Sequence, residues 1–441
     1  MTARRRRTAM RLAAFAVAVA ALLAPGAAAA AVPAPAPVAA APAAGRVGTD
    51  IVRDYEYWLG EYGFTTAWNS SRGEGQTVAV IDTGVVGSVA ELDGVVVDGT
   101  DVSGVGSSDG QTPVGDQPEH GTMVASLLAG RGSAPGSGVI GVAPAAKLLS
   151  ISVAFGQDTG STVSTDDQIA EAVRWAVDHG ADVINMSLTR NTRTWPESWD
   201  DAFGYAFAND VVVVAAAGNR GSGTTEVGAP ATIPGVLAVA GVDRDKNASF
   251  DASSQGITIG VSAPSEKLVG VKPDGQYLQW DGTSAATPLV SGLVALVRAA
   301  YPDLDANNVI QRVIATADPR GHDVPSPLYG YGIIDPPAAL TEQVDFVQAN
   351  PLGDLGEWIR IHRRAEIEQP EATEQPEEEV VPIADPPLPR NTATLTLWPT
   401  PWTLAYITLP LSIVAGFGTL AALLGIGAVR HIRRTARSER Q

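Results

Sequence analysis

The sequence predicts an α/β fold, with a mostly parallel central sheet covered on both faces by helices and one transmembrane helix near the C-terminus. Three observations predict it. Short runs rich in Val, Ile and Ala, such as TVAVIDTGV (77–85), KLLSISVA (147–154) and DVVVVAAAGN (210–219), read as strands buried on both faces. Amphipathic stretches lie between such runs, and the apolar residues of DDQIAEAVRWAVDHG recur at three and four, the helical spacing. Near the C-terminus, residues 403–429 run without a charge.

In chain order, residues 1–31 carry a basic start, an apolar stretch over 12–23 and small residues near 27–31, the pattern of a secretory signal peptide. Residues 32–49 form an Ala/Pro-rich extension. The globular domain is expected over 50–345. Within it TVAVIDTGV is a strand ending in a turn at Asp82, and EHGTMVASLLAG opens a helix at His120. KLLSISVA is a second strand. The helix of DDQIAEAVRWAVDHG stops at Gly180, and ADVINMSL follows directly as a strand. DVVVVAAAGN is another strand, ending at Asn219. Around LVSGLVALVRAA the apolar run reads as a helix, with Pro288 in its first turn, where a missing N–H costs little.

An acidic, Pro-rich linker is expected over 346–397; its centre, EIEQPEATEQPEEEVVPIADPPLPR, holds too much like charge to form a core. An acidic docking segment is the other reading of that stretch. At roughly 1.5 Å per residue, a helix over 403–429 reaches about 40 Å, enough for a hydrocarbon core of about 30 Å. Trp398 and Trp402 suit one interface. Arg430, Arg433, Arg434, Arg437 and Arg440 follow the other, in a basic tail over 430–441 that the positive-inside rule places in the cytoplasm. The globular domain is therefore expected outside the cell membrane, tethered by this single pass. No internal repeat is visible.

Composition narrows the function. A formal net charge of −18 argues against nucleic acid as a partner, because phosphate binding needs a basic face. The chain has no cysteine, which excludes disulfides, thiolate metal sites and cysteine nucleophiles.

Four positions suggest chemistry. In WDGTSAATPLVSG, Ser284 sits at a helix N-terminus, where unpaired N–H groups and the dipole favour negative charge. A serine needs a base, and histidine is the usual one. Of five histidines, His120 alone precedes a glycine at the start of a small-residue helix. Asp82 ends a strand expected to be central, where open parallel sheets gather their ligands. Asn219 ends another strand and has an amide to offer a developing oxyanion. Singly, each has a plainer reading: a helix cap, a packed histidine, a turn aspartate and a turn asparagine.

Jointly, and in this order, VAVIDTGV, HGTMVAS, AAAGN and GTSAATPLVSG resemble the subtilisin-like serine peptidases. GVAPAAKL, VINMSL and YGYGIIDPPAAL add to a resemblance that covers roughly residues 50–345. It implies the subtilisin-like three-layer fold and hydrolysis of peptide bonds through Asp82, His120 and Ser284, with Asn219 and the Ser284 N–H binding the oxyanion. It implies further that Ser187, Leu188 and Thr189, together with Ala216, Ala217 and Gly218, bind an extended peptide or protein substrate. Thr189 departs from the family's usual glycine, and its side chain narrows the pocket or redirects specificity. No cofactor is implied. No calcium ligands carry over either, and the acidic loop DGTDVSG reads equally as a solvated turn, so a structural calcium stays open. The lead-in is short for the usual inhibitory prodomain.

The whole layout, from signal peptide to basic tail, resembles the mycosins, membrane-anchored proteases associated with type VII secretion. It implies a secretion membrane complex as a partner. The alternative is a structural scaffold or clamp of that complex, with proteolysis dispensable.

Overall fold

A computed structural model describes residues 50–363 and 409–438. The expected signal peptide and extension, the linker from 364 onward, residues 403–408 of the expected span and the last three residues of the tail lie outside the described residues.

Alternation along one strand explains the layering. In β1 (Thr77–Asp82), Val78 and Val80 enter one hydrophobic core while Ala79 and Ile81 enter another, because successive side chains point to opposite faces of a sheet. Burial on both faces recurs in β3 (Lys147–Ser152), β4 (Val183–Met186), β5 (Val212–Ala216), β6 (Leu237–Val242) and β7 (Ile259–Pro264). The edge strand β2 (Val96–Asp101) is the exception: much of VVDGTD meets solvent. All seven strands pair in parallel, in the order β2-β3-β1-β4-β5-β6-β7.

Helices cover both faces. On the first lie the short helices α1 (Ile51–Tyr55), α2 (Tyr57–Glu61) and α3 (Phe64–Ala67), together with α4 (His120–Ala129). The second face carries α5 (Thr165–Asp178) and α6 (Glu197–Ala208), which seat Ile169, Val173, Trp199 and Phe203. Returning to the first face, α7 (Thr283–Ala300) crosses the sheet, followed by α8 (Ala306–Ala315) and α9 (Pro336–Thr341). A hairpin of β8 (Leu268–Val271) and β9 (Tyr277–Trp280) leads into α7. Helix α7 is apolar nearly all round because it is sunk in the core, although by length and composition it would pass for a membrane span.

Two expectations change. Part of the stretch expected as linker from 346 is folded, since α10 (Leu355–His362) packs on the second face. Leu355, Trp358 and Ile359 recur at helical spacing, and the Trp195 and Trp358 rings lie 4.4 Å apart. Arg363 then pairs with Asp200. Pro288 is also displaced, falling six residues into α7 rather than in its first turn.

Near the C-terminus, α11 (Leu409–Ser438) presents exposed Ile413, Phe417, Leu420, Leu424 and Ile426. In the acidic loop 98–104, the Asp101 carboxylate accepts hydrogen bonds from the Ser103 and Gly106 N–H groups at 3.1 and 2.7 Å, so it serves as a turn builder.

Candidate active site

The strand order reverses at β1: the chain runs from β1 to β2 and β3 on one side, then crosses to β4 on the other. Such a reversal opens a crevice at the carboxyl ends of the strands. Asp82 closes β1 at this edge, Ser187 lies one residue past β4, and Asn219 lies three past β5. Helix α4 starts there with His120, and α7 starts there with Thr283 and Ser284.

His120 is held from two sides. Its Nδ1 lies 2.8 and 3.0 Å from the two carboxylate oxygens of Asp82, which is buried. Trp280 meets the ring edge to face, with centroids 5.4 Å apart. Thr83 fixes the carboxylate by donating its N–H to Asp82 Oδ1 at 2.7 Å, and its hydroxyl accepts the Gly121 N–H at 3.0 Å. Gly121 is required here, because a β-carbon would collide with the Gly84 backbone. Burial pulls the imidazole pKa down, but the charge and hydrogen bond of Asp82, with Glu119 adding, outweigh it; the net direction is above the ordinary 6.5.

Ser284 is held by a different set of bonds. Gly282 turns the chain at φ 142°, a conformation costly for other residues, and delivers Ser284 to the second position of α7. Its N–H there has no carbonyl four residues back within the helix. Its hydroxyl donates to the Ser187 carbonyl at 3.0 Å. Because Pro288 has no N–H, the carbonyl of Ser284 loses its helical donor. The Ser187 hydroxyl replaces it at 2.9 Å. Behind it, Asn185 Nδ2 donates to the Ser187 hydroxyl at 3.1 Å and Ser291 donates to Asn185 Oδ1 at 2.8 Å, so this buried chain is satisfied link by link.

Asn219 is oriented without ambiguity. Its Oδ1 accepts the Thr283 N–H at 2.8 Å and the Thr283 hydroxyl at 2.9 Å. A backbone N–H can only donate, so the amide oxygen is fixed there and Nδ2 is left as the outward donor. That Nδ2 has no acceptor among the described residues.

A carboxylate-oriented histidine and a helix-terminal serine in one crevice, with an amide beside them, agree with the comparisons. The subtilase family model matches residues 73–332. The chain belongs to the subtilase family of serine peptidases.

Among its relatives, Mycosin-3 of Mycobacterium tuberculosis is 33% identical over 420 residues, 82% of this chain and 80% of the relative. Subtilisin DY of Bacillus licheniformis is 36% identical over 271 residues, 61% of this chain and 92% of the relative. A solved MycP3 protease from the type VII (ESX-3) secretion system superposes with TM-score 0.56 at 35% identity, covering 65% of this chain and 88% of that one. Another solved relative, the serine protease MycP1, is described as an essential component of the type VII (ESX-1) secretion system; it superposes with TM-score 0.55 at 32% identity, over 65% and 88% of the two chains.

In this subtilase Asp82, His120 and Ser284 line one cavity of about 340 Å³ with Ser187, Leu188 and Thr189. Ala216, Ala217 and Gly218 are buried and do not line it, and neither does Asn219. Sequence reasoning missed other residues of the lining, Asp116, Gln117, Phe155 and Gly156. They come from loops with no periodicity to read. It also missed Thr83, Asn185, Thr283 and Ser291, all inside quoted motifs but noticeable only through their bonds.

Proposed function

We propose that this subtilase is a mycosin-type endopeptidase, anchored in the cell membrane by α11 and acting outside the cytoplasm on protein substrates of, or beside, a type VII secretion membrane complex. The observation that carries the catalytic part is the two-oxygen grip of Asp82 on His120 Nδ1, in the cavity that Ser284 also lines. With Nδ1 engaged, Nε2 is the nitrogen left to act as base.

Ser284 rotates its hydroxyl from the Ser187 carbonyl toward His120 and gives up its proton as Oγ attacks the scissile carbonyl. Asn219 Nδ2 and the Ser284 N–H stabilise the oxyanion. His120 returns the proton to the leaving amine, and water then releases the acyl group by the same path. Hydroxyl–imidazole hydrogen bonds are often loose before substrate binds, so the present rotamer suits a resting site.

The experiment is labelling with a fluorophosphonate. Wild type should be labelled on Ser284, and Ser284→Ala should lose the label while keeping its unfolding midpoint. A folded wild-type chain that takes no label would sink the peptidase mechanism. The anchoring part is tested by carbonate extraction of membranes: full-length chain stays in the pellet, and a chain ending at residue 363 is released. The scaffold reading draws on the description of MycP1 as an essential component of its secretion system. Secretion that survives Ser284→Ala but fails on deletion of the chain would select it.

A further inference from the structure

We infer that Thr189 closes the pocket for the residue preceding the scissile bond, making this peptidase selective for small side chains there. This deepens the peptidase reading and rests on it. The carbonyl under attack must lie near Ser284 Oγ and Asn219 Nδ2. Ser187 is bonded to Ser284 from both sides and Gly218 runs directly into Asn219, so the side chain of the residue that carries it falls between the segments 187–189 and 216–218. Thr189 stands across that gap.

Its methyl, Cγ2, lies 3.2 Å from where a β-carbon on Gly218 would be, and its hydroxyl lies 2.5 Å from the same position on Gly228. The hydroxyl donates to the Arg190 carbonyl at 3.2 Å, which holds the rotamer. A β-branched side chain has few others to adopt. The floor beneath is tied on both sides: Gly228 N–H donates to the Ala217 carbonyl at 3.2 Å, and Arg190 N–H to the Ala229 carbonyl at 2.7 Å. Thr189 therefore stands in the slot between two walls that backbone hydrogen bonds tie together. The cavity lined by Ser284 touches 187–189 and does not reach 216–218. An Ala or Ser side chain ends above the Thr189 methyl; a Leu or Phe side chain collides with it.

The test uses the purified full-length chain in detergent and two peptidyl diphenyl phosphonates differing only in Ala or Phe at the position next to phosphorus. Their reaction rates with Ser284 are read by competition with a fluorophosphonate. One methylene in such a pocket is worth about 10–200-fold. Wild type should react at least about tenfold faster with the Ala reagent. Thr189→Gly should raise the Phe-to-Ala rate ratio by about tenfold or more, and Thr189→Ser, which loses only the methyl, should raise it by less. If Thr189→Gly does not fold, Thr189→Ser decides. A wild type that takes Phe as fast as Ala, or a ratio unchanged in folded variants that still accept fluorophosphonate, overturns the inference while leaving the peptidase reading intact. A chain that accepts no fluorophosphonate overturns both.

Discussion

The Ser187 hydroxyl donates to the carbonyl of Ser284 at 2.9 Å. It takes the place of a helical N–H that Pro288 cannot supply. The carbonyl on the other side of the exchange, that of Ser187, accepts the Ser284 hydroxyl at 3.0 Å, so the two serines hold each other. Ser187→Ala leaves the Ser284 carbonyl without a donor, a loss of about 1–3 kcal/mol. Fluorophosphonate labelling should slow as well. Pro288→Ala restores the helical donor and should rescue part of both losses in the Ser187→Ala background, where Asn185 Nδ2 still lacks the acceptor that the Ser187 hydroxyl gave it. A double-mutant cycle by urea unfolding should give a coupling energy of about 0.5–3 kcal/mol; strictly additive effects would rule the exchange out.

Asn219 offers a second prediction. Its oxygen is held by two donors from Thr283, which in the proposed mechanism aims the Nδ2 donor before substrate arrives. In subtilisin, removing the asparagine donor costs about 10²–10³ in kcat. Asn219→Ala should lower kcat over that range with KM nearly unchanged. Thr283→Val should weaken kcat less, because the Thr283 N–H still holds the oxygen. That substitution also leaves the Gly218 N–H, now 3.1 Å from the Thr283 hydroxyl, without its acceptor.

What the sequence made legible follows from how far each signal travels along the chain. Asp82, His120 and Asn219 stand at ends of elements that periodicity reveals, and Ser284 follows a glycine turn. Thr83, Asn185 and Ser291 act through partners up to 106 residues away, and no local pattern marks them. Edge strand β2 was unreadable because its exposed VVDGTD lacks the doubly buried apolar run. Helix α10 was hidden for another reason: the glutamate-rich stretch beyond it drew 346–363 into the linker, although LGEWIRIH carries a helical apolar face. The position of Pro288 went astray because a serine could stand in for a missing helix donor, which is a tertiary fact.

Glu56 yields a third prediction, on stability. Its carboxyl is buried, accepts the Ile140 N–H at 2.7 Å and pairs with Arg53 at 3.2 Å. Burial outweighs both partners and pushes its pKa from 4.5 up to about 8. A folded value above the unfolded one favours the protonated form, so the stability it contributes is complete below pH 4.5 and is lost as pH rises through about 8. Glu56→Gln keeps an oxygen for Ile140 and removes the titration. Its urea midpoint should fall less than that of wild type between pH 5 and pH 9; parallel curves would refute the assignment.

For His120 the same linkage sets activity against stability. The folded pKa lies above the ordinary 6.5, since Asp82 and Glu119 outweigh the burial that lowers it. The stabilisation from the charged ring is complete below pH 6.5 and is lost as pH rises through the folded value. The proposed mechanism needs the opposite state, because only the neutral imidazole can take the Ser284 proton. The acid limb of kcat/KM should therefore fall above pH 6.5, while stability declines across the same interval. Asp82→Asn removes the charge that does most to raise the value, weakens the hydrogen bond and leaves the desolvation. Its residual activity, reduced by about 10⁴ as for the same change in the Ser-His-Asp triad of an unrelated fold, should show a limb displaced to lower pH. Its urea midpoint should lose the decline that His120 imposes on wild type. Glu56 titrates over part of this interval, so the decisive quantity is the difference between the Asp82→Asn and wild-type curves, in which Glu56 cancels. A limb that stays in place in Asp82→Asn would mean that the carboxylate does not govern the base.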